Sequence, residues 1–246
     1  MLKRKWVIHN VMMKLLSHLE ESNFEVNCMS FYKIKISPKD EGIGQLGGGA
    51  WLERLEDWPR DQVNGSFMLP LISFDSAYFP TFVIAPDYRI TVFVPAPEDG
   101  TFSTEYGDGL SYNSGHSPLD PSKLSAKMLL HKTGAEELCP DSTFLLPKGY
   151  LSLEELTDEE FDLENLDEVN GIELSKRHLR AHWLRDMIKI SPRYHLVCQL
   201  NELDLVEFHP AYKGIFNAGI GYVYLDYRIK KLDDLAEAGF FFIQYT

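Results

Sequence analysis

Short β-prone runs set at intervals along the chain constrain its fold more than any other feature. They are FEVNCMSFYKIKIS (24–37), SFMLPLISF (66–74), YRITVFV (88–94), KMLLHKT (127–133), YHLVCQL (194–200), GYVYLDY (221–227) and the closing FFFIQYT. Each mixes β-branched, aromatic and aliphatic residues over strand length, and Gly, Pro, Asp or Ser separates it from the next. Helical patterning is confined to three places. Residues 5–20 set Ile8, Met12, Leu15, Leu16 and Leu19 on one stripe, residues 152–190 begin at a cap-like Ser152, and KLDDLAEAG ends at Gly239. From Pro95 to Lys123 turn-forming residues dominate, which predicts a long loop. The expected class is α+β, mainly antiparallel sheets with flanking helices.

Two stretches echo one another. MLPLISFDSAYFP (68–80) and HLVCQLNELDLVEFHP (195–210) each run from an apolar strand through a polar break with an acid to an aromatic-Pro pair, and an aromatic strand follows. The echo predicts two related halves sharing one core, an internal duplication. The chain is then one globular unit over 1–246, with a first β-rich half at 24–135. Residues 150–246 carry the helical segment and the second β-rich half.

At 246 residues, 44% hydrophobic and 13% aromatic, the chain can bury a substantial core. His9, Asn10, Lys14 and His18 interrupt the basic N-terminal stretch, so a soluble amphipathic helix fits better there than a signal peptide. No apolar run approaches membrane-spanning length. Cys28, Cys139 and Cys198 are odd in number and scattered, which fits free thiols in a reducing cytoplasm.

Several motifs raise a chemistry and then fail its requirements. Gly42, Gly44 and Gly47 spell the dinucleotide fingerprint, but SPKDE intervenes after the preceding strand and Pro59 cuts off the following helix. The glycines therefore read as turn and backbone-approach positions. His178, His182 and Asp186 fall at helical spacing in HLRAHWLRD, yet Leu179 stands where a metalloprotease carries its Glu. Histidines edging a core helix are the plainer reading, and no metal or cofactor is expected. Ser111 and Ser114 lack a local base pattern. Cys198, aligned by alternation with Tyr194, Leu196 and Leu200, reads as a buried structural thiol.

The net charge of −13 is concentrated. EELTDEEFDLENLDEVNGIE, from Glu154 to Glu173, holds ten acids and no Lys or Arg. Such a chain is a poor nucleic-acid binder, because phosphate requires concentrated Lys and Arg. With Leu156, Phe161, Leu163 and Leu166 docked on the body, Glu154, Glu155, Asp158, Glu159, Glu160, Asp162 and Glu164 would face outward. They are the candidate contacts to a basic protein.

Gly47-Gly48, Trp58-Pro59, Gly65 and the strand Met68 to Phe74 resemble the opening motif of the YwqG-like family. LVCQLNELD, FNAGIGYVYLD and KKLDDLAEAGFFFIQ are similar to its closing motif. The resemblance covers roughly residues 42–94 and 194–246. Leu71 stands where the first copy's usual glutamine falls, whereas Gln199 retains it in the second. Asn217-Ala218-Gly219 replaces the Gly-Asp-x-Gly turn, and the Gly before the first aromatic strand is absent near Tyr88-Arg89. The resemblance implies a bacterial α+β protein of unknown function with no agreed catalytic set. Some relatives are encoded near secreted toxin systems, which implies an immunity-type inhibitor of a basic toxin or effector domain. The alternative is a small-molecule module or enzyme with its pocket between the halves, where His195, Gln199, Asn217 and Tyr222 are the candidate polar groups.

Overall fold

The structure, a computed structural model, describes residues 32–246 apart from 80–83, 98–99, 114, 116, 141–143, 168–169 and 178–179. The helix expected over 5–20, Cys28, the first part of the 24–37 run, and His178 with Leu179 lie outside the described residues. Ten strands form one antiparallel sheet. In chain order they are β1 (Tyr32–Ser37), β2 (Gly44–Leu46), β3 (Leu69–Asp75), β4 (Tyr88–Val94), β5 (Lys127–Lys132), β6 (Gly149–Glu155), β7 (Lys176–Arg177), β8 (Tyr194–Asn201), β9 (Ile220–Asp226) and β10 (Gly239–Gln244). Among the described residues three short α-helices accompany them, α1 (Thr104–Asp108), α2 (Asp158–Glu164) and α3 (Glu202–Phe208). The mainly antiparallel α+β class is therefore what the chain adopts.

The spatial order is β10-β9-β8-β7-β1-β6-β2-β3-β4-β5. It reads the same from either end. Outward from the central β1–β6 pair run two four-strand meanders, β7 to β10 on one side and β2 to β5 on the other. Strands β1 and β6 each lie beside the other half's meander. Both long third strands carry a bulge, between Pro70 and Ile72 in β3 and between Leu196 and Cys198 in β8.

The sheet curls until its ends nearly meet. Residues 235–238 bridge them, with Leu130 N donating to Ala236 O, Leu235 N to Leu130 O and Ala238 N to Met128 O at 2.8–2.9 Å. The inner faces close on one apolar cluster that includes Ile34, Leu71, Phe74, Val92, Leu151, Leu200 and Phe241. Outside, Ala50, Leu52 and Trp58 cover Met68 and Phe93. Across the sheet, Ala181, Trp183 and Ile188 cover Tyr222, Tyr224 and Phe242. Burial on both faces explains why β3, β4, β9 and β10 are nearly unbroken apolar runs, whereas the central β1 and β6 alternate.

Two helical expectations fail here. Residues 149–155 are strand β6, because LSLEE alternates and sets Lys33 and Lys35 of β1 opposite Glu154 and Ser152. From the end of α2 to Ile190 the described residues are irregular apart from the two-residue strand β7. Trp183, Met187 and Ile190, at helical spacing in the sequence, share no face, since Met187 is exposed. KLDDLAEAG is no α-helix either but a turn followed by a bridge, because its backbone supplies the bonds to β5; Leu235 takes φ 63°. The bulge in β8 also overturns the simple alternation around Cys198. Cys198 and Leu200 point into the barrel, whereas Tyr194 and Leu196 pack outside.

The glycines act as turns and close approaches. Gly47 and Gly48 take φ 59° and 72°, and a Cβ on Gly47 would lie 2.3 Å from the Tyr212 hydroxyl. A three-residue 3-10 turn at Leu55–Asp57 is the next helical element, far short of a phosphate-binding helix.

Candidate functional site

The acidic segment starts where β6 ends. Thr157 caps α2 with a reciprocal box: its hydroxyl accepts from Glu160 N at 3.2 Å, and its own N–H donates to Glu160 Oε2 at 2.8 Å. Three acids in the first turn, Asp158, Glu159 and Glu160, suit the positive end of the helix.

The seven candidate acids divide by environment. Glu155, Asp158, Glu159 and Asp162 are exposed and form no ion pair among the described residues. Glu154 and Glu160 share Lys33, at 2.9 and 3.0 Å. Hydrogen bonds from Glu154 and then Glu160 raise the Lys33 ammonium above its ordinary value, and the Thr157 amide with Lys33 lowers Glu160. Glu164 is a different residue altogether. It is 3% exposed, its Oε2 lies 2.7 Å from Lys176 Nζ, and it accepts from Ile172 N at 2.7 Å and Arg180 N at 3.1 Å. Lys176 is itself fully buried. Desolvation pushes it down to about 8 against the opposing pull of Glu164. Glu164 thus anchors the helix from beneath and has no outward charge.

The apolar residues of the segment correct the expectation more sharply. Phe161 is 40% exposed, Leu163 52% and Leu166 79%. The face expected to dock on the body instead adds apolar area to the charged surface. Exposed carboxylates around exposed Leu and Phe form a surface with both long-range charge and contact area.

The alternative ligand residues do not converge. Gln199 and Tyr222 are cross-strand partners on the outer face, where they hold the 180–186 segment down. Gln199 Oε1 accepts from His182 N at 2.8 Å, Gln199 Nε2 donates to Leu174 O at 2.7 Å, and the Tyr222 hydroxyl donates to His182 O. Trp183 stacks on the Tyr222 ring. His195 lies four residues away across the bulge, against the Tyr227 ring at 4.6 Å. Asn217 sits in the turn before β9, at φ 52°, next to Gly107. A cavity of about 350 Å³, lined by Ile84, Tyr88, Leu130, Ile229 and Leu232, holds none of the four. His182, Asp186 and Glu173 build no helical metal face either: His182 Nδ1 is 2.8 Å from Gly171 O and its Nε2 3.6 Å from Glu173.

A second constellation lies inside the barrel, and no sequence motif announced it. Glu155, Tyr32, Arg177 and Cys198 are successive cross-strand partners, so they form one row across β6, β1, β7 and β8. Tyr78, from the turn after β3, brings its ring under the Arg177 guanidinium at 4.8 Å, and Tyr32 flanks the same group at 5.9 Å. The buried Tyr78 hydroxyl and Cys198 thiol interact, and desolvation drives both well above their ordinary values. A two-residue strand and a three-residue turn leave no periodic trace in a sequence. The nearest hint was an Arg following a Lys that folds inward.

No protein-family model matches the chain, and no curated protein matches it. Among the described residues, no helix is long and apolar enough to cross a membrane.

Proposed function

We propose that this is a partner-binding protein that presents the α2 surface to a basic protein domain, as an immunity-type inhibitor of a toxin or effector would. One observation carries the reading: Glu155, Asp158, Glu159 and Asp162 are uncommitted to internal ion pairs, and they border exposed Phe161, Leu163 and Leu166. Charge steers association, while desolvated Leu and Phe hold the complex. Lys33, Glu160, Lys176 and Glu164 fix the helix from below, which limits the ordering cost of binding.

The test begins with capture of the partner from native lysate at low and moderate salt, and then measures kinetics with the purified partner. The variant Glu155→Gln/Asp158→Asn/Glu159→Gln/Asp162→Asn is expected to slow association about tenfold at low salt and to flatten its salt dependence. Leu163→Ser should instead raise the dissociation rate. Unchanged kinetics in both variants would remove this surface from the function.

We also propose that the two halves are copies of one unit with exchanged first strands. The support is the palindromic strand order and the matching bulges. The register adds to it: Ser73, Thr91 and His131 in one meander occupy the positions of Gln199, Tyr222 and Gln244 in the other. All six are buried; Thr91 hydrogen-bonds both Ser73 and His131, and Tyr222 hydrogen-bonds Gln244. An experimental structure in which β2–β5 superposes on β7–β10 by a rotation far from a half-turn would sink the idea.

A further inference from the structure

A charged group without a protein partner, held inside a barrel, is costly and calls for a reason. Arg177 is half-buried, and its Nε is shut off from solvent with no hydrogen-bond partner. Among the described residues no carboxylate or carbonyl accepts from its guanidinium. Its close neighbours are the ring of Tyr78, 4.8 Å from its guanidinium carbon, the ring of Tyr32 at 5.9 Å, and the Cys198 thiol across the strand pair. Burial lowers its pKa without approaching neutrality, so the group stays cationic. Every other arginine with a buried neighbourhood here finds an acceptor: Arg89 has Asp75 at 2.8 Å, Arg193 has Asp226, and Arg180 has Asp167 O and Glu164. Arg177 is the exception. Glu155, the acid in its own cross-strand row, lies two strands away, about 10 Å at normal strand spacing, and points to solvent.

We propose that Arg177 is the anion-binding centre of a ligand site at this end of the barrel, taking the carboxylate or phosphate group of a small molecule. Nε is shut off from solvent but the two terminal nitrogens are not, and the planar edge they form matches an oxyanion with two parallel hydrogen bonds. Tyr78 and Tyr32 hold the group in place and give the body of an organic anion apolar surface to lie against. Cys198, pinned by Tyr78 and with its thiolate disfavoured, serves as packing and not as a nucleophile. This site is independent of the α2 surface, so either can fail without the other.

The experiment compares wild-type protein with Arg177→Met, which keeps the length and removes the charge, and Arg177→Lys. Thermal unfolding is followed in inorganic phosphate, in succinate and in chloride at matched ionic strength. Wild type should gain about 3 °C over chloride at roughly tenfold excess over Kd. Arg177→Met should gain nothing, and Arg177→Lys should fall between. A response to phosphate alone or to succinate alone identifies the class of ligand. Equal gains in wild type and Arg177→Met would mean a general salt effect and overturn the proposal, as would no gain for either anion. Should Arg177→Met fail to fold, the arginine side-chain N–H signals of the wild type decide in its place. One of them must shift on titration with the effective anion, and a spectrum that stays still overturns the site.

Discussion

At the scale of single residues, the turn between α3 and β9 shows how closely this chain works to its limits. Asn217 and Ala218 both take positive φ, 52° and 56°, a conformation that asparagine tolerates and alanine does not favour. The turn persists because the Glu202 carboxylate accepts from Gly214 N, Phe216 N and Ala218 N at 2.7–3.0 Å, three bonds from one buried acid. Ala218 is exposed, so nothing but its backbone is at stake. Ala218→Gly is expected to stabilise the protein by about 0.5–1 kcal/mol in urea denaturation. A loss of stability would mean that the left-handed pair is not strained. Part of this was visible in the sequence, where Asn-Ala-Gly occupies a turn position. The Arg177 site was not, because its members meet through strand register over long separations, and single-residue chemistry carries no record of register.

Elements tell a different story. Strands β3, β4, β5, β8, β9 and β10 fall within a few residues of the runs read from composition, since burial on both faces leaves an unmistakable apolar signature. The 152–190 segment misled because acids, leucines and a good cap are helix-like locally, while Lys33, Lys176 and Gln199 recruit most of it into the sheet and its cover. The buried Lys176–Glu164 pair is the pivot of that recruitment. Lys176→Met alone strands a buried carboxylate and should cost about 3–5 kcal/mol. Adding Glu164→Gln should recover part of the loss, because no charge is left to desolvate and the amide oxygen keeps one of the two backbone donors, Ile172 N or Arg180 N, while its NH2 faces the other. Chemical denaturation of the two variants checks this, and a single variant as stable as wild type would refute the role of the pair. The acids proposed to meet a partner were legible as a cluster. Their division into Glu164 below, Glu154 and Glu160 beside Lys33, and four free acids outside was not, because charge count says nothing about which side of a short helix faces inward.

For the whole molecule, acid stability should fall in two stages. His131 is buried and neutral, its Nε2 2.8 Å from Thr91 Oγ1, and desolvation chiefly holds its pKa below the ordinary 6.5. The unfolded chain therefore takes up this proton first, and stability that is complete above pH 6.5 declines as pH falls below it. Asp226 works lower. Burial would raise it, but Arg193 and Arg228 outweigh that and bring it from 3.8 down to about 2. Its contribution is full above pH 3.8 and is lost as pH falls toward 2, on the order of 1–2 kcal/mol given that both arginines reach into solvent. Urea midpoints across pH 7 to 2 should show both declines. His131→Gln should weaken the first, to which His195, also lowered by burial, contributes, and Asp226→Asn should weaken the second, which Glu137 and Glu160 share; a flat profile between pH 7 and 5 would contradict the histidine assignment.

The pairing of β1 with β6 and β7 also sets the order in which this molecule can come into being. Both neighbours of β1, β6 and β7, belong to the second half, and β2 has only one partner in its own half. Lys33 waits for Glu160, 127 residues further on. While the chain is being synthesised, the first half therefore emerges with an orphan strand and an open sheet edge, the kind of surface that pairs with any available strand. Another nascent copy offers the right one. Polysomes making this protein should accordingly be where strand-swapped dimers arise, and dilution of translating chains should suppress them.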